Sequence, residues 1–285
     1  MTLVVEQPGL LSLVQDRGRP NLGDLGVSPS GAFDRTALRQ VNVLLGNDLA
    51  DAAIEVLGGG LLLRAEEATV CAITGGVGPI TVDGDPAPYG RALRLQPGQR
   101  LAIGPPTSGL RTYLGVLGGL SITAELGSCS SDTLAGLGPA PLKAGDRLDT
   151  GPHHPVPDLE DIPPLGRTGE LTLDVIVGPR DDWFAADSVR QLLESRWEVG
   201  SASDRIGVRL SGPTLERTRS EELPSEPCVR GSIQVTADGQ PIVFGPDHPV
   251  TGGYPVIAVV VDAHTDRLAQ ARPGQAVRFR RRPTP

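Results

Sequence analysis

Short apolar runs punctuated by glycine and proline recur along the chain, and they predict strands. Residues 70–74 form one such run, closed by Gly75-Gly76. Residues 257–261 read as a buried strand. Residues 80–82 followed by Asp83-Gly84 carry a hairpin signal. So do residues 232–235 and 241–244, joined through Asp238-Gly239. Residues 171–177 alternate in part and end at Gly178-Pro179. Helical spacing is rarer. Over residues 34–45 it sets Ala37, Leu38, Val41, Leu44 and Leu45 on one face, with Gly46 as the stop and Asp34 or Ser30 as the cap. A second helix is predicted over residues 187–197 from Val189, Leu192 and Leu193.

A turn glycine followed by an apolar strand start recurs in residues 96–101, 143–148 and 272–277. One copy falls near the end of each half, which suggests two related barrels. Between the halves, prolines crowd residues 151–157 and 162–164 and stop both helix and central strand. The expected division is therefore a domain over residues 1–150, a linker over 151–168 and a domain over 169–285. His153 and His154 in the linker have no third metal ligand nearby, and no metal site is expected.

Composition adds a few bounds. With 39% hydrophobic and 21% charged residues, a packed core is feasible. A formal net charge of -8 argues against nucleic acid as the main partner. Three widely spaced cysteines read as reduced thiols. Neither a signal peptide nor a membrane-spanning run is visible, so the expected location is the cytoplasm.

Candidate chemistry gathers where charged or hydroxyl residues adjoin glycine. Asp204, Arg205 and Arg209 suit a carboxylate clamp, with Asp204 orienting an arginine or taking a proton. The same residues equally suit a structural pair at a strand corner. Thr251, Gly252, Gly253 and Tyr254, just after Asp247, can aim backbone N–H groups at a developing negative charge, or simply form a hairpin. Ser30 and Asp34 can frame an anion at a helix start or serve as caps. Asn47 and Glu55 can line the same cleft, or be a helix-end residue and a surface acid. Gln234, mid-strand, needs a partner or a ligand if it faces a barrel interior. His248, beside Asp247, and His264 are the candidates for serine–histidine chemistry. No P-loop, nucleophile elbow or zinc helix motif is present.

Taken in order, these motifs resemble the carboxyltransferase A/B family, also described as allophanate hydrolase subunit 2, with KipA-like regulators among its members. The landmarks are Gln15-Asp16-Arg17-Gly18-Arg19, Ser28-Pro29-Ser30-Gly31-Ala32-Phe33-Asp34, Ala53-Ile54-Glu55 and Arg111-Thr112-Tyr113. They continue through Gly127-Ser128, Ser131-Asp132, Ser203-Asp204-Arg205-Ile206-Gly207-Val208-Arg209 and Thr251-Gly252-Gly253-Tyr254-Pro255. The resemblance implies a mainly β fold with a few helices, made of two cyclophilin-like β-barrel domains. It implies the C component of an ATP-dependent 5-oxoprolinase, inactive alone and acting on a small amide or carboxylate substrate. The implied partners are a B-component homologue (allophanate hydrolase subunit 1-like, KipI-like) and an A component. The ATP site is not specified. The resemblance leaves open a regulator that binds a sensor-kinase inhibitor, and a carboxyltransferase taking carboxybiotin from another protein to urea or a related amide. No biotin is expected on this chain, because a carrier lysine sits between methionines and Met1 is the only one.

Overall fold

A computed structural model describes residues 1–152, 154–158, 161–163, 169–219 and 221–282. The protein is mainly β with three α-helices among the described residues, as the sequence predicts. The chain divides into two compact units that interleave in sequence. Unit 1 holds Met1–Arg19, Ser30–Asp132 and Gly136–Thr168; unit 2 holds Pro20–Pro29, Thr133–Ala135 and Gly169–Pro285. The described part of the proline-rich stretch belongs to unit 1, where Ile162 N–H donates to Gly90 O at 2.8 Å. His153 lies outside the described residues.

Unit 1 contains two sheets. The six-stranded sheet runs Arg147–Asp149, Thr2–Pro8, Leu61–Ala65, Arg100–Ile103, Ile80–Val82 and Asp85–Pro86. The five-stranded sheet runs Leu11–Gln15, Ala53–Leu57, Ser108–Val116, Thr69–Val77 and Leu93–Leu95. One apolar core joins them, with Leu3, Val5, Leu61 and Leu63 from the first and Ile54, Val56, Cys71 and Ile73 from the second. Helix α1, Arg35–Leu45, covers the other face of the five-stranded sheet. Its Ala37, Leu38, Val41, Leu44 and Leu45 form a second cluster with Ala53, Val70, Ala72 and Tyr113. Strand Thr69–Val77 is thus covered on both faces, which is why residues 70–74 do not alternate. Each fully buried Leu or Val here contributes about 1.5–3 kcal/mol.

Asp34 is the N-cap of α1: its Oδ1 accepts from Ala37 N–H at 3.0 Å. Ser30, the other expected cap, sits upstream with φ +51°. Gly46 closes the helix with φ +70°, donating to Asn42 O and Val43 O.

Unit 2 is built on a closed seven-stranded barrel. Its order is Leu171–Val177, Val256–Val260, Ser232–Val235, Pro241–Phe244, Gly207–Ser211, Trp197–Val199 and Ala276–Arg281. Closure comes from a parallel pairing of first and last strands, with Leu171 opposite Val277 and Val175 opposite Arg281. The expected hairpin of residues 232–235 and 241–244 is present, with Ile233 opposite Val243. Helix α2, Ala186–Glu194, stops earlier than the apolar spacing predicts. Ser195 turns extended, and Trp197 enters a barrel strand, fully buried, with Nε1 donating to Leu192 O at 3.0 Å. Helix α3, Asp262–Leu268, follows directly on Val256–Val260 and has no counterpart among the predicted elements.

Candidate functional site

In unit 1 the strand register builds a buried polar row. Tyr113 lies opposite Glu55 on one neighbouring strand and opposite Thr74 on the other, on the face that carries α1. Glu55 Oε2 accepts from Phe33 N–H at 2.9 Å and from the Tyr113 hydroxyl. That hydroxyl in turn accepts from Asp34 N–H at 2.8 Å, and Thr74 Oγ1 donates to Ala37 O at 2.7 Å. Arg111 Nε stands 3.5 Å from Glu55 Oε1, and its guanidinium lies 4.4 Å from the Phe33 ring centroid. Burial raises the Tyr113 hydroxyl well above its ordinary pKa, and the charges of Glu55 and Asp34 add to the effect, so it remains a donor. Glu55 is thus a buried anchor for the entry to α1, not a surface acid.

Beside this row, Asp16 collects donors from the 128–130 loop. Its Oδ1 accepts from Ser128 Oγ at 2.6 Å and Ser130 Oγ at 2.5 Å, and its Oδ2 from Cys129 N–H at 2.6 Å. Arg19 is 1% exposed; it donates to Ser130 O at 2.5 Å and stands 4.0 Å from Asp132. Ser30 Oγ donates to Ser131 O at 3.1 Å. Gly31 has φ +85°, and a Cβ there would lie 2.8 Å from the backbone of Arg17 and Gly18, so only glycine fits. Asn47 is set apart from this group: its amide donates to Val116 O at 2.8 Å and accepts from Gly118 N–H at 2.9 Å, clipping the end of α1 to the sheet.

In unit 2 the structure divides the residues expected to act together. Asp204 is exposed, and its Oδ1 accepts from Ile206 N–H at 2.8 Å and Gly207 N–H at 3.0 Å, closing a local turn. Arg205 turns inward and grips Asp247 in a fork, Nε to Oδ2 at 2.9 Å and Nη2 to Oδ1 at 2.8 Å. Thr133 adds its N–H at 2.9 Å and its hydroxyl at 2.7 Å to the same Oδ2. Burial pushes the Asp247 carboxyl up, but Arg205 and the Thr133 donors outweigh it and hold the group below the usual carboxylate range. Arg205 therefore clamps a carboxylate of its own chain. Arg209 is exposed and takes no part in that pair. His248 stacks on Phe244, with ring centroids 5.8 Å apart.

The Thr251–Gly252 strand pairs with Glu226–Pro227. Gln234 finds its partner there: Nε2 donates to Tyr254 O at 3.0 Å and lies 3.6 Å from Cys228 Sγ. A Cβ on Gly252 would come 2.4 Å from that Nε2, so a side chain there would displace the Gln234 amide. Thr251, Gly253 and Tyr254 are exposed. Arg217, which no sequence motif singles out, lies with its guanidinium 5.3 Å from the Tyr254 ring centroid.

These motifs and this fold define a recognised class. The family model described as carboxyltransferase domain, subdomain A and B, matches residues 25–281, and the chain belongs to that family. Among curated relatives, the 5-oxoprolinase C subunit of Escherichia coli is 36% identical over 281 residues, covering 97% of this chain and 90% of the relative. Urea amidolyase of Saccharomyces cerevisiae is 34% identical over 95% of this chain but only 16% of its own length. Among solved structures, the K. lactis urea amidolyase superposes with a TM-score of 0.90 at 29% identity, over 98% of this chain and 18% of that one. The protein TTHA0988 does so with a TM-score of 0.90 at 34% identity, over 98% and 55%. No helix among the described residues is long and apolar enough to cross a membrane.

Proposed function

We propose that this chain is the C component of an ATP-dependent 5-oxoprolinase, which opens the lactam of 5-oxoproline to glutamate together with a B-component homologue and an A component. One observation carries the reading: the match to a named 5-oxoprolinase C subunit is nearly coextensive on both sides, 97% of this chain and 90% of the relative. A second such relative, from Haemophilus influenzae, is 36% identical over 93% and 86%.

An amide is a poor electrophile. Phosphorylation of the lactam oxygen by ATP, with release of ADP, activates the ring carbon; one water adds there and the C–N bond breaks to give an acyl phosphate, and a second water displaces phosphate to leave glutamate. Such chemistry needs groups that hold a carboxylate and groups that steady an oxyanion. In this chain the segment 251–254 of unit 2, exposed at Thr251, Gly253 and Tyr254, suits those tasks. The Arg205–Asp247 pair, already satisfied, suits a supporting role. ATP is not assigned to residues of this chain.

The urea amidolyase relatives favour a second reading, a carboxyltransferase that works with a biotin carrier on another polypeptide. The test is 5-oxoproline-dependent ATP hydrolysis and glutamate release. It compares the chain alone, with the B component, and with the A and B components together. Activity confined to the full mixture is the expected result. A stable complex that releases no glutamate, yet carboxylates urea when given carboxybiotin carrier, overturns the first reading in favour of the second.

A further inference from the structure

Three arginines in unit 2 share one neighbourhood of the chain, and two already hold carboxylates. Arg180 hydrogen-bonds Glu226, whose strand pairs with Thr251–Gly252. Arg219 donates to Asp182 Oδ2 at 2.9 Å. Arg217 is different. Among the described residues its guanidinium makes one hydrogen bond, from Nη2 to Val235 O, and pairs with no carboxylate. Its Nε is shielded from solvent and has no hydrogen-bond partner among the described residues. Burial lowers its pKa from the ordinary arginine value. A partly desolvated cation with no carboxylate partner is unfavourable, and an anion bound at the outer part of the guanidinium relieves it.

The surroundings are built to hold that cation in place. The guanidinium lies 5.3 Å from the centroid of Tyr254, within the range of cation–π attraction. Tyr254 is fixed from behind, because its carbonyl accepts from buried Gln234 and Gly252 abuts the same amide. Tyr254 is 44% exposed, so a ligand can reach one side of it. A lone guanidinium beside an aromatic ring matches one negative charge on a planar group.

We propose that Arg217, seated on Tyr254, is the binding group for the carboxylate of a small monocarboxylate ligand. In the setting of the function proposed above, that carboxylate belongs to 5-oxoproline; the choice of this probe rests on that reading, while the site itself does not.

The experiment titrates the full chain by calorimetry with 5-oxoproline, with 2-pyrrolidinone (the same lactam without its carboxylate) and with N-acetylglycine, an acyclic carboxylate. The wild-type chain is expected to favour 5-oxoproline over 2-pyrrolidinone by roughly ten- to a hundredfold, the scale of a charge-assisted hydrogen bond. Arg217→Gln is expected to erase that preference and leave 2-pyrrolidinone binding unchanged. Arg217→Lys keeps the charge without the fork and is expected to fall between. Tyr254→Leu, which removes only the ring, guards against a variant that fails to fold and is expected to weaken 5-oxoproline severalfold. The proposal is overturned if neither carboxylate binds the wild-type chain, or if folded Arg217→Gln binds 5-oxoproline as the wild type does. Binding of N-acetylglycine through Arg217 without binding of 5-oxoproline keeps the site and removes the 5-oxoprolinase reading. Full turnover by an assembled complex carrying Arg217→Gln keeps that reading and removes the site.

Discussion

Replacing Asp247 by Asn tests whether the Arg205 fork is the internal clamp of unit 2. The pair is 3% and 0% exposed at the side chains and makes two hydrogen bonds, 2.8 and 2.9 Å long. The substituted amide would keep one acceptor, turn a donor toward the guanidinium and deprive the buried Arg205 of its carboxylate. Loss of one partner of a buried pair costs about 3–5 kcal/mol. With a urea slope of about 2 kcal/mol/M, the unfolding midpoint falls by roughly 1.5–2.5 M. Both tryptophans of the sequence, Trp183 and Trp197, lie in unit 2, so intrinsic fluorescence follows this unit selectively. The pH dependence has a definite sign. Asp247 titrates below its unfolded value of about 3.9, so its stabilisation is present above that pH and fades as the pH falls through the folded value. The gap between wild type and Asp247→Asn is therefore expected to close in acid. The double variant Arg205→Met with Asp247→Leu removes both charges and is expected to recover most of the loss. A single Asn variant that loses less than about 1 kcal/mol, or a gap independent of pH, refutes the clamp.

Two further outcomes follow from the geometry. Asp204→Asn keeps the oxygen that takes Ile206 and Gly207 N–H groups and is expected to stay within about 0.5 kcal/mol of wild type in the same urea assay, whereas Asp204→Ala loses about 1 kcal/mol. Tyr113→Phe removes the hydroxyl shared by Glu55 and Asp34 N–H. It is expected to cost about 1–3 kcal/mol in unit 1 and to speed amide exchange at Phe33 and Asp34, as read by NMR.

The local grammar of the fold was legible in the sequence. Helix α1 shows itself through five apolar positions at helical spacing and a capping Asp34, because its polar face meets solvent and its apolar face meets a sheet. Residues 70–74 could be read as strand, but not why they fail to alternate; that depends on helix and sheet cores lying on opposite faces. The site was legible only in pieces. Arg205 and Asp247 are 42 residues apart, and adjacency in sequence pointed instead to Asp204. Tyr113 and Glu55 meet through strand register over 58 residues. Arg217 carries no local signature at all. Its distinction is a missing partner, which no one-dimensional pattern encodes.

The closing pair of the barrel, Leu171–Val177 with Ala276–Arg281, also constrains how unit 2 is made. The strand synthesised first waits for the one synthesised last, about a hundred residues later, before its free edge is covered. Such late, long-range pairing slows folding and leaves a sticky edge exposed during translation. Because the two strands run parallel, residue 281 comes to lie beside residue 175 and residue 171 beside residue 277. A permutant that joins residue 281 back to residue 171 therefore needs a crossover of about a dozen residues, with new ends opened in an exposed turn such as 237–238, to make the last-formed pairing a local one.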